Sequence, residues 1–207
     1  MLFLGHTGIT LGLAWFTQSL WQKRHNTRVQ TPAPQIASRV ANGPVGSAIM
    51  PTYTRIHYLD FRLVLLGSML PDLIDKPVGI FLLGQVFSNG RIFSHTALFT
   101  LSFLVAGIIF YQKRAGVALL TIGYGSLMHL VLDGMWTDLR TLLWPLQGWA
   151  FTKGDMSHWL SRMLFALTHD GQAYISEGLG AAILIVFFVI ILRRGQVWRW
   201  LKTGQLI

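Results

Sequence analysis

The chain has 207 residues, of which 52% are hydrophobic and 12% are charged. Soluble domains carry about 25% charged residues, so this composition excludes an ordinary soluble domain and predicts a membrane protein. The net charge of +9 does not indicate a nucleic-acid partner, because most Lys and Arg residues follow apolar segments, where they meet anionic lipid headgroups. Cysteine is absent, which excludes disulfides, thiolate metal ligands and a thiol nucleophile.

The apolar segments predict an all-α, polytopic membrane bundle with about five transmembrane helices. A first span at about 2–21, interpreted as retained rather than cleaved, precedes a polar stretch at about 26–54 that predicts a flexible loop. Residues 78–87 predict a re-entrant or interfacial segment, and residues 137–173 predict an interfacial region with short amphipathic helices. We expect one membrane-embedded domain over residues 1–207. The other spans are predicted at about 57–70, 93–111, 115–136 and 175–192.

The distribution of basic residues predicts the orientation in the membrane. With five spans and the N-terminus outside, twelve of the seventeen Lys and Arg residues lie on the cytoplasmic side, as the positive-inside rule requires. We therefore expect an integral protein of a bacterial or archaeal cytoplasmic (inner) membrane. The His and Asp residues discussed next then lie toward the extracytoplasmic side, whereas the reverse orientation would keep them together and face them inward.

Six His and Asp residues lie near the ends of the apolar segments, where lipid-facing side chains would be apolar. Ionisable groups inside a membrane are costly and mark functional sites by default. Imidazole and carboxylate ligands suit a divalent cation, zinc best and manganese as an alternative. We predict that one or two ions bind to these six residues: His6, Asp72, Asp75, His95, His129 and Asp133.

The spacing within two motifs supports this prediction. His129 and Asp133 are four residues apart and share one helix face, although such a pair can also form a helix–helix hydrogen bond or a buried ion pair. Asp72 and Asp75 are three apart and repel each other unless a cation lies between them. The alternative for the second pair is an exposed turn in which Asp75 pairs with Lys76.

The central motif, RIFSHT, adds a histidine and an arginine. Ser94 is a candidate N-cap for the following helix, and His95 comes directly after it. Arg91, one turn earlier, could bind phosphate or carboxylate bidentately. Alternatively, His95 is a satisfied interfacial residue and Arg91 extends to the lipid headgroups. His6, near the start of the first span, would supply a further nitrogen ligand.

Taken in order, these motifs resemble a known family. His6, LPDLIDKP at 70–77, GRIFSHT at 90–96, HLVLD at 129–133 and LLWP at 142–145 are similar to the LexA-regulated, membrane-bound metal-dependent hydrolase family. The resemblance covers roughly residues 1–145. It implies a helical inner-membrane hydrolase, distantly like zinc-dependent phospholipase C, in which the six His and Asp residues occupy the family's His and Asp positions.

The chain departs from the family pattern around its central histidine. The family often has HRG-x-T-H-S there, whereas this chain has Gly90 for the leading histidine, Ser94 for the threonine and Thr96 for the serine. Arg91 and His95 are retained. One possible ligand is therefore missing, which weakens the case for a second metal ion.

Together these observations predict a membrane-embedded metal-dependent hydrolase. We expect it to cleave a phosphoester of a membrane lipid or lipid-linked substrate with a metal-activated water. Asp72 or Asp75 would accept the proton of the water, and Arg91 would neutralise charge on the phosphate. The alternatives are a metal-ion or proton-coupled transporter, which should carry ionisable groups along the whole membrane depth, and a structural protein whose polar residues join helices.

Overall fold

The computed structural model describes residues 3–29, 59–114, 116–154 and 158–205. Within these ranges the regular structure is helical and contains no strand, which confirms the all-α prediction. Besides the α-helices, these ranges contain a π-helical turn, Pro77–Leu82, and a 3-10 turn, Met135–Thr137. The helices are α1 (Phe3–Val29), α2 (Phe61–Lys76), α3 (Ala97–Arg114), α4 (Ala118–Leu132), α5 (Leu139–Leu142), α6 (Trp159–His169), α7 (Gly171–Arg193) and α8 (Val197–Thr203).

One helix of the described residues, α7, is long and apolar enough to cross a membrane by length and composition alone. The helices α3 and α4 are apolar but shorter than the usual span of about 20 residues. The prediction of five spans is therefore not confirmed and stays a prediction. Large apolar side chains such as Phe16, Leu101 and Ile185 are more than half exposed, and contact with lipid would cover such a surface.

The largest differences between the observed and the predicted helix ends are in α1 and α2. The first helix continues through Val29, past the predicted end near residue 21 and into the first residues of the predicted loop. Residues 30–54 of that loop, and residues 57–58 of the second predicted span, lie outside the described residues. The second helix continues through Pro71 and ends at Lys76.

Pro71 is tolerated inside α2 because another helix satisfies the carbonyl that it leaves free. Proline has no N–H to donate to the carbonyl four residues earlier, which here is Gly67 O. The hydroxyl of Ser126 in α4 donates to that oxygen at 3.2 Å. Polar side chains of neighbouring helices commonly satisfy the backbone beside a proline in membrane helices.

Two glycines let α2 and α4 cross closely at this point. A Cβ atom on Gly125 would lie 2.7 Å from the backbone carbon of Gly67, so no larger residue fits without separating the helices. Around this contact, α4 also packs against α3, and α1 packs against α2 and α7. The close crossing fixes the last turns of α2 and α4 beside each other.

The apolar core lies at the N-terminal end of α2, opposite the last turns that cross close to α4. Phe61 and Val64, in the first turn of α2, pack with Leu11 of α1 and with Phe187 and Ile191 of α7. Phe61 precedes Asp72 by eleven residues, which is about 16 Å along a helix. The bundle therefore separates a packed apolar end from an end that carries ionisable side chains.

Candidate metal centre

Four segments bring all six predicted residues to one end of the bundle. His6 lies in the first turns of α1, Asp72 and Asp75 lie in the last turns of α2, and His95 lies just before α3. His129 is in the last turn of α4, and Asp133 is its C-cap residue. The six side chains are at most 5% exposed.

The hydrogen bonds of His95 and His129 leave two nitrogen lone pairs facing each other. Nδ1 of His129 donates to the Ser68 carbonyl oxygen at 2.6 Å, and Nδ1 of His95 donates to Asp75 Oδ2 at 2.7 Å. A neutral imidazole carries one N–H, so each Nε2 atom then holds a lone pair. The two Nε2 atoms are 3.2 Å apart. This contact is repulsive unless a proton or a metal cation lies between them.

Asp72 completes a triad with these two histidines. Its Oδ1 atom is 3.5 Å from His95 Nε2 and 3.8 Å from His129 Nε2, while its Oδ2 atom accepts a hydrogen bond from Lys76 Nζ at 2.5 Å. Three atoms with these separations share a centre about 2.0 Å from each, which is the length of a Zn–N or Zn–O bond. The residues present therefore fit a divalent metal ion.

Asp75 lies behind His95 rather than in this triad. Its carboxylate accepts backbone N–H groups of Ile92 at 2.8 Å, Ser94 at 3.0 Å and His95 at 3.1 Å, as well as the His95 ring. Both oxygens are engaged, so the carboxylate fixes the loop before α3 and the tautomer of His95. Carboxylates that hold metal-binding histidines in this way are common in metal sites.

The same contacts explain why Ser94 is not the N-cap of α3. Asp75 already accepts the N–H groups of Ser94 and His95, and α3 begins at Ala97, about four residues after the start of the predicted span near residue 93. The hydroxyl of Thr96 accepts a hydrogen bond from Phe99 N at 3.1 Å and takes the capping position. The predicted N-cap was wrong because a buried carboxylate from α2 reorganises this turn.

Beside the triad, Asp133 contacts two basic side chains, those of His6 and Arg91. Its Oδ1 atom is 3.0 Å from His6 Nε2, and its Oδ2 atom is 2.9 Å from Arg91 and 3.8 Å from His95 Nε2. The ring of His6 stacks on that of His129 at 4.2 Å. His6, His129 and Asp133 thus form a second group that could hold a metal, and this group shares His129 with the triad.

Comparison with known proteins identifies the family. The profile described as YdjM inner membrane protein matches residues 1–203. The chain belongs to this family. No curated protein and no solved structure matches it. Family membership establishes an inner-membrane protein, as the sequence resemblance implied, while the membrane orientation and the chemistry stay predictions.

The partners of Lys76 and Arg91 bear on two alternatives that the sequence left open. Lys76 pairs with Asp72, so the predicted alternative of an exposed Asp75–Lys76 turn is wrong, and Asp75 is fully buried. Arg91 contacts Asp133 while 45% of its side chain stays exposed. Arg91 therefore lies at the outer edge of the site, where it can meet an incoming anion.

The sequence analysis missed two residues that support the site. Ser68 positions His129 through its carbonyl oxygen. The available signal for a close helix crossing was the set of small residues Gly67, Ser68, Gly123, Gly125 and Ser126. Glu177 of α7 accepts the backbone N–H groups of Leu4 at 2.8 Å and Gly5 at 3.1 Å. This acid anchors the start of α1, and with it His6, but an isolated Glu in an apolar helix gave no indication of its partner.

Proposed function

We propose that this protein is a membrane-embedded metal-dependent hydrolase that cleaves a phosphoester of a membrane lipid or lipid-linked substrate. The observation that carries the proposal is the 3.2 Å contact between the Nε2 atoms of His95 and His129, with Asp72 closing the triangle. A buried arrangement of this kind calls for a cation. In an inner-membrane protein, a site at one end of the bundle can reach lipid headgroups.

One divalent ion, zinc or manganese, fits better than two. The only lone pair of the His129 ring that remains for a metal is at Nε2, because Nδ1 donates to Ser68 O. A single nitrogen lone pair binds one metal ion, so the triad and the second group cannot both use His129. A second ion would have only His6 and Asp133 as ligands.

The metal ion would polarise a phosphoryl oxygen and lower the pKa of a bound water toward ~7. Asp72, His95 and His129 would hold it, and Lys76 turns Asp72 so that Oδ1 faces the histidines. Asp75 would keep His95 in the tautomer that leaves Nε2 free. This assignment makes Asp75 a positioning residue instead of the ligand or base predicted from the sequence.

The proton acceptor in this proposal is Asp133. Its carboxylate lies 3.8 Å from His95 Nε2, next to the triad, and its contacts with His6 and Arg91 favour the ionised form. Arg91 is partly exposed, so its guanidinium can also contact a phosphate and offset charge that develops during hydrolysis. Both roles need a substrate that approaches from the Arg91 side.

The transporter alternative lacks a path in the described part of the chain. The buried ionisable side chains there lie in the site or beside it, as Glu177 does, and the opposite end of the bundle is filled by the apolar core. A proton or metal-ion pathway would need polar groups through that core.

A lipid-extract assay tests the proposed function. Purified protein loaded with zinc or manganese should release a phosphorylated headgroup or inorganic phosphate from an inner-membrane lipid extract. Asp72→Asn should lower this rate by more than about a hundredfold, because even outer-shell partners of a metal contribute 10–100-fold. Asp138→Asn should leave the rate unchanged, because this acid caps α5 through a hydrogen bond from Thr141 N. Absence of any phosphorus-containing product from the metal-loaded protein would refute the proposal.

A further inference from the structure

Two adjoining cavities lie beside the candidate metal centre, between the ends of α3, α4 and α7. The polar chamber has a volume of about 470 Å³ and includes Asp133 of the site together with Asp170, Gln172 and Ser176 at the start of α7. The apolar groove has a volume of about 250 Å³ and lies between α3 and α4. Val131 and Trp136 line both cavities, so the groove and the chamber adjoin at these two residues.

The apolar groove is formed by the same helix ends that carry the metal-site histidines. On α3 it begins at Ala97, two residues after His95, and on α4 it includes Leu127 and Leu130, which flank His129. From Leu127 to Val131 it follows α4 for roughly 6 Å at 1.5 Å per helical residue, and it continues past Met135 and Trp136. Its walls are aliphatic and aromatic apart from one threonine.

That threonine supplies a second, independent observation. The Thr100 side chain is 1% exposed, it lines the groove, and its hydroxyl has no hydrogen-bond partner in the described structure. An unpartnered buried hydroxyl is costly. An ester carbonyl oxygen at the top of a lipid chain would satisfy it if the chain reached this wall of the groove.

We propose that the apolar groove binds one acyl chain of a membrane lipid whose polar headgroup occupies the polar chamber. The change from charged and polar walls at Asp133 and Asp170 to apolar walls at Leu101 and Leu130 matches the polarity of an amphiphile. The chain belongs to an inner-membrane family, so acyl chains are the apolar molecules that surround this surface. The inference rests on the proposed function only in placing the headgroup beside the reacting centre.

The groove offers a matched pair of variants for the test. Leu101 and Leu98 lie on the same helix and are both 54% exposed, but Leu101 lines the groove and Leu98 does not. Leu101→Trp should fill the groove, and Leu98→Trp should only enlarge the outer surface. The probe is phosphatidylglycerol that carries a diazirine in one acyl chain, present as a trace in phosphatidylcholine nanodiscs that hold the full-length protein.

Photolysis followed by peptide mapping should label residues 127–136 preferentially over the exposed surface of α7 around Ile185. Leu101→Trp should reduce this labelling by about tenfold, a change equivalent to one unit of log affinity, whereas Leu98→Trp should leave it within about twofold. Labelling that simply follows lipid exposure, or that is equally insensitive to both substitutions, would overturn the inference. Circular dichroism of each variant establishes that it is folded.

The outcome is separable from that of the proposed hydrolase. His129→Ala should abolish metal binding and leave the labelling of the groove intact, because His129 does not line it. Preferential labelling in a wild-type protein that binds no metal after metal loading would overturn the hydrolase and support the groove. A protein that binds metal and hydrolyses lipid but shows no preferential labelling would overturn only the groove.

Discussion

Replacement of Asp75 by asparagine separates a positioning carboxylate from a direct metal ligand. The carbonyl oxygen of the new side chain could still accept from the His95 ring, but its NH₂ group would then oppose the backbone N–H of Ser94, which now donates to Asp75 at 3.0 Å. A hydrogen bond to a charged group contributes about 1.5–3 kcal/mol, so the free energy of unfolding should fall by about 2 kcal/mol. Loss of an outer-shell partner should weaken metal affinity by about 10–100-fold, or roughly 1.4–2.8 kcal/mol.

Competition with a fluorescent zinc chelator measures this affinity in detergent. Asp75→Asn should still bind a full equivalent of zinc at high concentration, with the weaker affinity given above. Asp138→Asn is the control, because this acid caps the short helix α5 and contacts no metal-site residue among its described hydrogen bonds. Unchanged affinity would show that Asp75 does not support His95. Complete loss of zinc from a folded variant would instead mean that Asp75 is itself a ligand.

Three further predictions concern packing and topology. Gly125→Ala should destabilise the protein by about 1–3 kcal/mol in thermal unfolding, because the added Cβ would overlap α2. The control is Gly178→Ala, which faces open space and should be neutral or stabilising. Equal effects of the two substitutions would contradict the close crossing. Glu177→Ala should cost about 0.5–2 kcal/mol through loss of the α1 cap, and an unchanged melting temperature would argue against this role. A cysteine that replaces Lys153 should react with an impermeant maleimide from the periplasmic side. A cysteine that replaces Lys202 should react only from the cytoplasmic side. The opposite pattern would reverse the predicted topology.

The sequence predicted which residues meet, because the ionisable residues lie at alternate ends of successive apolar segments. An antiparallel bundle brings such ends together without any knowledge of packing. The same logic located the starts and ends of most helices to within a few residues. The predicted second span ended at about residue 70 and left open whether helix continues after Pro71, since this depends on the hydroxyl of Ser126 from another helix.

The individual role of each acid could not be predicted in this way. Asp72 and Asp75 are equivalent by spacing, but one faces two imidazole nitrogens while the other is enclosed by three backbone N–H groups of the loop before α3. That difference arises from how residues 92–95 fold against α2. The pairing of Lys76 with Asp72, four residues earlier, was available as a helical spacing, but the sequence could not rank it above a contact with Asp75.

The metal content of the purified protein tests the central claim most directly. After zinc loading and removal of excess metal, elemental analysis should find one ion per chain in the wild type and in His169→Ala, whose ring is exposed on α6. His95→Ala and His129→Ala should each retain less than about a tenth of an ion while staying folded, because removal of a ligand should weaken binding more than the 10–100-fold that an outer-shell partner contributes. Folded wild-type protein that holds no zinc or manganese, or full metal content in both histidine variants, would contradict the account.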